Sequence, residues 1–217
     1  MNFKKIIRHL DSDEIRELIE EGSLDIEELA QYAPFMDDDD LDELVVEYYN
    51  RTGKYSAILP FLSEDGIKDL AYALINNGDS IVDLLPFMDE DDLEDLPDEA
   101  FNDEDLSVAI LPFAGENVAA RAFWKAVERN ESVTAYMPFM DEDDIDEGFI
   151  ELVRRGRNEK GCYPFVSDDG WHKLLKLYMA GEVEFDFDEA YQFMDSDDIK
   201  RLFKFEIRKA RMNDDAN

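Results

Sequence analysis

The sequence is poor in the side chains that metal and thiol chemistry require. Its 217 residues include one cysteine and two histidines. One cysteine excludes an intramolecular disulfide framework, and two histidines leave little for metal ligation or general-base catalysis. No Ser-His-Asp, Cys-His or phosphate-binding glycine pattern is present. We therefore predict that the protein is not an enzyme and has no cofactor and no metal site; Cys162 is expected to be buried, and His172 to face solvent.

Long apolar stretches are also missing. The sequence begins MNFKKIIRHL, in which only two isoleucines follow the lysines. A signal peptide needs an apolar region of about 7–15 residues, and a membrane span needs about 20. The simplest expectation is a cytoplasmic protein that does not contact a membrane.

Positive charge is scarce, since 22 lysines and arginines stand against 56 aspartates and glutamates, for a formal net charge of −34. This balance argues against binding nucleic acid or an anionic membrane, because both need cationic patches. The charge is also uneven, with −25 in residues 1–108 and −9 in residues 109–217. Two interpretations stay open for the basic residues of the second half: they neutralise neighbouring aspartates, or they make head-to-tail contacts with an acidic half.

What the sequence does contain is a repeat of 26 residues. A Pro-Phe pair recurs at this spacing, with its prolines at Pro34, Pro60, Pro86, Pro112, Pro138 and Pro164. Each repeat combines an amphipathic helical segment with a shorter apolar segment, and such repeats bury their apolar faces by stacking. We predict an all-α fold, an α/α solenoid of about eight 26-residue two-helix repeats whose second helix is short or 3₁₀. The prediction treats 1–217 as one repeat domain, with an N-terminal cap at 8–33, repeats starting at 34, 60, 86, 112, 138 and 164, and a C-terminal cap at 192–212.

The ends of the first helix in each repeat can be predicted from its capping residues. In these repeats an aspartate or serine that can cap a helix N-terminus lies between two apolar residues of a hydrophobic staple. The expected N-caps are Asp11, Asp37, Ser63, Asp89, Asp141 and Asp195. Gly53, Gly78 and Gly156 are expected to end their helices. The repeat resembles those of two-helix α-solenoids such as HEAT repeats, and its short period is similar to that of the leucine-rich repeat variant. The motif of neither family is present, so the resemblance implies an architecture and no functional residues.

Burial is predicted from the helical spacing. With the proline as position 1, positions 8, 12 and 15 are expected to face the core. The phenylalanine at position 2 is expected to form a core ladder between repeats. Replacing one of these residues, Phe87, with alanine would then cost about 3–5 kcal/mol.

The aspartate runs at 37–40, 89–92 and 141–144 allow three interpretations. Helix capping explains one or two carboxylates per run. An EF-hand is excluded because Leu41 and Ile145 stand where a fifth-position calcium ligand is required, but weak binding of divalent cations stays open. The third interpretation is an acidic edge that attracts a basic partner or mimics nucleic acid.

The repeat breaks in two places where function could be added. Pro97 is expected to end or kink the first helix of the repeat that starts at 86. The repeat that starts at 112 has no aspartate run and carries Arg121, Lys125 and Arg129, spaced by four residues so that they form a stripe.

Position 13 gives the candidate binding residues. It holds Val46, Tyr72, Asp98, Trp124, Ile150 and Lys176 in successive repeats and lies at the border of the predicted core. Its aromatic residues either pack on the next repeat or anchor a partner. We predict a non-enzymatic helical-repeat scaffold that binds another protein, and a partner with a basic surface would suit the acidic chain. The predicted binding residues are Tyr72, Trp124, Ile150, Arg121, Lys125 and Arg129. The alternative is an acidic protein that binds cations or mimics nucleic acid through its aspartate clusters.

Overall fold

The computed structural model of the chain describes residues 9–214, apart from the side chains of residues 12, 20, 26, 27, 35 and 212–214. Within this range the protein is all-helical and has no strand, so the expected all-α class is confirmed. The chain divides into two compact parts, Met1–Phe113 and Ala114–Asn217, which we call the N-lobe and the C-lobe. None of the described helices combines the length and the apolar composition needed to cross a membrane.

In the N-lobe, α-helices alternate with short 3₁₀ segments. The α-helices are α1 (Ser12–Glu20), α2 (Ile26–Leu29), α3 (Asp38–Thr52), α4 (Glu64–Asn77), α5 (Glu90–Glu94) and α6 (Glu104–Ala109). The 3₁₀ segments are Ala33–Phe35, Leu59–Phe61, Val82–Phe87 and Asp98–Asn102. The predicted interruption at Pro97 is confirmed, because α5 ends at Glu94 and a 3₁₀ segment begins directly after the proline.

The C-lobe has the same alternation with longer α-helices. They are α7 (Glu116–Arg129), α8 (Glu142–Arg154), α9 (Asp168–Ala180) and α10 (Ser196–Asp214). The 3₁₀ segments are Met137–Phe139, Lys160–Phe165 and Tyr191–Phe193. Most of the 3₁₀ segments in the two lobes end on the phenylalanine of a Pro-Phe pair.

The helix ends follow the predicted capping residues. Each predicted N-cap accepts a hydrogen bond from a backbone N–H in the first turn that follows, at Asp11, Asp37, Ser63, Asp89, Asp141 and Asp195. Gly53 and Gly78 adopt left-handed backbone at the C-caps of α3 and α4, with φ of 71° and 77°. Gly156, with φ of 74°, follows the end of α8. A left-handed residue ends a helix at little cost where no Cβ is present, so these glycines fix the helix ends.

The predicted core positions are buried in the regular repeats. Positions 8, 12 and 15 are at most 6% exposed at Leu41, Val45, Tyr48, Ile67, Ala71, Leu74, Ile145, Phe149 and Leu152. These residues recur at helical spacing, so each first helix buries one apolar stripe.

The predicted ladder of position-2 phenylalanines is wrong. Phe87 and Phe113 are 40% and 44% exposed, and the side chain of Phe35 lies outside the described residues. After such a phenylalanine the backbone becomes extended, as at Leu62 and Met88, so the phenylalanine closes the 3₁₀ turn at the edge of the core. The buried ladder is formed by the two residues before each proline, at most 9% exposed: Tyr32/Ala33, Ile58/Leu59, Leu84/Leu85, Ile110/Leu111, Tyr136/Met137 and Cys162/Tyr163.

One polar contact between neighbouring repeats occurs in both lobes. In the N-lobe the buried carboxylate of Asp42, on α3, accepts bonds from the Ser63 hydroxyl and from its backbone N–H at 3.2 Å. A Cβ on Gly66 would lie 2.0 Å from this carboxylate, so α4 can approach α3 because the residue is glycine. The C-lobe has the same contact 104 residues later, four repeat lengths on, at Asp146, Ser167 and Gly170.

Candidate partner-binding groove

A groove of about 960 Å³ opens on the C-lobe between α7, α8 and α9. Position 13 of three consecutive repeats contributes to it, so Trp124, Ile150 and Lys176 line one surface although they are 26 residues apart in sequence. The other lining residues are Glu147, Glu151, Arg154, Arg155, Lys173, Leu177, Ala180 and Glu182. The structure thus brings together two predicted binding residues, Trp124 and Ile150.

The apolar part of the groove is held in place by the core beneath it. The Trp124 ring is half-buried and meets the fully buried Phe123 ring edge to face, with centroids 5.1 Å apart. Phe123 lies against α8, since a Cβ on Gly148 would be 2.6 Å from its ring. This close approach positions Trp124 beside Ile150. A groove with an aromatic floor and polar rim is suited to receiving an apolar side chain.

The groove is basic in comparison with the rest of the chain. Four cationic and three carboxylate side chains line it, a net +1 in a protein of net −34. Glu151 accepts a bond from Arg155 Nε at 2.9 Å and lies 4.0 Å from Arg154. Lys173 and Lys176, in contrast, form no ion pair with any residue in the part of the chain that the structure describes. Their ammonium groups are therefore available to carboxylates of a ligand.

The predicted basic stripe on α7 does not line the groove. Arg129 Nε donates to both carboxylate oxygens of Glu131 at 2.8 Å, and Lys125 Nζ lies 3.9 Å from Glu128. Arg121 is half-buried on the same helix. For Arg129 and Lys125 the structure supports neutralisation of nearby carboxylates. The cations of the groove come from the two following repeats.

The remaining predicted site residue, Tyr72, belongs to the N-lobe. It is half-buried, and its hydroxyl donates to the backbone oxygen of Asp95, in the next repeat, at 3.2 Å. Lys68, one turn earlier, pairs with the Asp95 carboxylate at 2.6 Å. Of the two interpretations given for the aromatic residues of position 13, packing on the next repeat therefore applies to Tyr72.

His172 is a contact residue that the sequence analysis missed. The expectation that it faces solvent is wrong, because Nδ1 lies 2.8 Å from the carboxylate of Asp198, which is 1% exposed. Arg201 Nη1 also contacts this carboxylate at 2.8 Å. His172 stands at position 9, like Asp42 and Asp146, and all three contact the next repeat. The recurrence of position 9 is the sequence signal that could have identified it.

The expected burial of Cys162 is confirmed, and burial raises the pKa of its thiol to about 11. A thiol of this kind is a poor nucleophile at neutral pH. Within residues 9–214, no group of three His, Cys, Asp or Glu side chains is arranged to hold a metal ion. The side chains that line the groove offer apolar, cationic and carboxylate groups. Comparison of the chain with protein-family models, with curated proteins and with solved structures finds no match.

Proposed function

We propose that the chain is a non-enzymatic α-solenoid scaffold that binds another protein, and that the C-lobe groove holds a segment of that partner. The observation that carries the proposal is the alignment of Trp124, Ile150 and Lys176, from three consecutive repeats, along one groove. Arrays of stacked repeats commonly use such continuous surfaces for extended ligands. An aromatic residue with nearby cations is also the composition of interface anchor sites.

The chemistry of the groove indicates what the segment carries. An apolar side chain would pack on Trp124, and carboxylates would reach the unpaired ammonium groups of Lys173 and Lys176. The N-lobe, with its net charge of −25, would attract a basic surface elsewhere on the same partner. The expected basic character of the partner therefore concerns that surface, whereas the segment in the groove is acidic and apolar.

Selection of short random peptides displayed on phage tests this proposal. We expect enrichment of peptides that combine an apolar residue with carboxylates. In fluorescence anisotropy, Trp124→Ala and Lys176→Glu should each weaken binding of an enriched peptide by about tenfold or more, the loss typical of an anchor residue.

Lys54→Glu is the matched control, because it makes the same charge change at an exposed residue of the N-lobe. It should leave binding unchanged. Melting temperatures of all variants check the fold; Lys176 is exposed, so its variant remains informative even if Trp124→Ala is destabilised. Failure to enrich acidic-apolar peptides, or equal binding by Lys176→Glu and Lys54→Glu, would contradict the proposal.

A further inference from the structure

The last described helix, α10, leaves a core position uncovered. Position 12 is 0–4% exposed in the other repeats whose first helix is regular, at Ile19, Val45, Ala71, Phe123, Phe149 and Leu175. In the C-terminal repeat, counted with its N-cap Asp195 as position 4, the equivalent residue is Phe203. It is 64% exposed, more than any other large hydrophobic residue that the structure describes. Terminal repeats of stacked arrays usually present a polar outer face, whereas α10 exposes this large phenylalanine.

Cations surround this phenylalanine. Lys200, Lys204 and Arg208 are spaced by four residues, as are Phe203 and Ile207, so that the five share one side of α10, which we call the tail face. Lys200 pairs with Asp197 at 3.0 Å, but both side chains are largely exposed and such a pair is weak. The tail face is therefore an apolar residue within a basic surface, on a strongly acidic protein.

Inside the chain, a cation at position 9 joins one repeat to the next. Arg16 occupies position 9 of the N-terminal repeat and pairs with Glu43 at 3.2 Å and Glu47 at 3.1 Å, which occupy positions 10 and 14 of the following repeat. Lys68, at position 9 of its repeat, lies 3.6 Å from Asp92, at position 7 of the following one. A cation at position 9 thus pairs with acidic residues at positions 7, 10 and 14 of the following repeat.

The N-terminal repeat supplies these acids on a surface that we call the head face. Its positions 7, 10 and 14 are Glu14, Glu17 and Glu21, all exposed. Between them, at position 11, Leu18 is only partly buried. The equivalent leucines of other repeats are at most 4% exposed: Leu44, Leu70, Leu174 and Leu202. The head face therefore also contains a core position that is incompletely covered.

We propose that the tail face of one molecule binds the head face of a second copy, so that copies associate head to tail. Lys200 stands at position 9, so the stacking used within the chain would bring it to Glu14, Glu17 and Glu21 of the second copy. Phe203 would then be covered by the second copy, with Leu18 nearby. The two faces differ from one another, so the association is heterologous and can continue beyond a dimer.

The charges also predict how association depends on salt. The net charge of −34 opposes any approach of two copies over long distances. This repulsion is screened over about 8 Å at physiological ionic strength, whereas close contact pairs are screened less. We expect stronger association near 0.15 M salt than in very dilute buffer.

Two variants disable one face each. Phe203→Glu/Lys204→Glu changes the tail face, and Glu17→Lys/Glu21→Lys changes the head face. All four residues are exposed, so we expect unchanged melting curves. Phe113→Glu is the matched control, because Phe113 is another exposed phenylalanine, at 44%, on neither face.

Sedimentation velocity over a range of protein concentrations gives the result. Wild type and Phe113→Glu should form species larger than a dimer, and each face variant alone should stay monomeric. An equal mixture of the two face variants should form a one-to-one dimer that does not grow, because one intact head and one intact tail remain. Monomeric wild type, absence of association in the mixture, or a wild-type dimer that survives both changes would each overturn the proposal. This outcome is independent of the groove, whose residues are unchanged in every variant.

Discussion

Replacing Gly170 with alanine tests how closely α9 packs against α8. Where a helix position is open, this change stabilises a protein by about 0.8–1 kcal/mol, because alanine has the higher helix propensity. Here the new Cβ would lie 2.1 Å from Oδ1 and 2.4 Å from Cγ of Asp146. The carboxylate cannot move aside without losing its bonds to the Ser167 N–H at 2.9 Å and hydroxyl at 2.6 Å. Overpacking and the weakened bonds together should give a net loss of about 2 kcal/mol.

A second substitution identifies the cause of that loss. Asp146→Ala alone should cost about 2–3 kcal/mol, because the Ser167 donors lose a charged acceptor at a buried site. In Asp146→Ala/Gly170→Ala the obstructing carboxylate is gone, so the alanine at 170 should add no further cost. The two changes are therefore expected to be coupled by about 2 kcal/mol in the favourable direction. Gly66→Ala should behave in the same way in the N-lobe, where a Cβ would lie 2.0 Å from Asp42.

Urea unfolding followed by tryptophan fluorescence measures these changes in the C-lobe, which contains Trp124 and Trp171, the two tryptophans of the chain. The midpoint should fall for Gly170→Ala with an unchanged slope, since the surface exposed on unfolding is the same. Stabilisation of about 1 kcal/mol would show that propensity alone decides and would refute the close contact. Additive losses in the double variant would show that Asp146 is not the obstacle.

Three further predictions concern the core, the thiol and one acidic run. Phe87→Ala should lower the free energy of unfolding by less than about 1.5 kcal/mol because Phe87 is 40% exposed, whereas Leu85→Ala, at a site 1% exposed, should lower it by about 2–5 kcal/mol. The midpoints of urea unfolding compare the two variants, and equal losses would contradict the assignment of the buried ladder to the residues before each proline. With its pKa raised to about 11, native Cys162 should have only about a thousandth of its thiol ionised at pH 8, so alkylation by iodoacetamide should be far slower than after unfolding, and equal rates would contradict its burial. Burial first, and then the charge of Asp141, raises the pKa of Asp144, so its ionisation opposes folding, and stability should be lost as pH rises through the folded pKa. Asp144→Asn should thus stabilise the protein at pH 7, by at most about 1 kcal/mol, and should gain less near pH 3; a gain independent of pH would contradict this sign.

The helix starts and ends could be predicted because they depend on local chemistry. A carboxylate such as Asp37 caps the turn that directly follows it, and Gly53 ends a helix through its own backbone conformation. The ladder could not be predicted in the same way. The Pro-Phe pair that contains Phe87 recurs more regularly in the sequence than the two residues before it, but burial depends on where the 3₁₀ segment turns into the next helix. The adjacent Leu84 and Leu85 face the core instead.

The candidate site shows the same limit. The proximity of Trp124 and Ile150 could be predicted because the two residues occupy the same position of consecutive sequence repeats, and they do line one groove. The spacing of the basic residues of α7 places Arg129 on a helix face, but spacing does not show that Glu131 lies against it. Lys173 had no signal in the sequence, because its role depends on the neighbouring repeat across the groove.

Position 9 links these observations, because it lies against position 7 of the following repeat at Asp42, Lys68, Asp146 and His172. Glu94, which is followed at position 7 by Val118, does not fit this pattern. An aspartate there is followed by glycine, as Asp146 is by Gly170, and a cationic side chain is followed by aspartate, as Lys68 is by Asp92. Asp42 with Gly66 matches the first of these pairs, and the His172 ring contacts Asp198 at the same two positions.

Stacking these repeats in a different order would therefore lower the free energy of unfolding. A repeat with aspartate at position 9 next to one with aspartate at position 7 would place two carboxylates in one space, without the gap that glycine provides. Buried like charges without a partner cost several kilocalories per mole, so these pairs favour the native order of repeats over shifted ones. Ala120 stands at position 9 of its repeat, and Asp144 stands at position 7 of the following one. Alanine offers this carboxyl no cation, in agreement with the raised pKa of Asp144. Lys200 also stands at position 9, and the proposed contact with Glu14 of a second copy would extend the pairing of a position-9 cation with a position-7 acid.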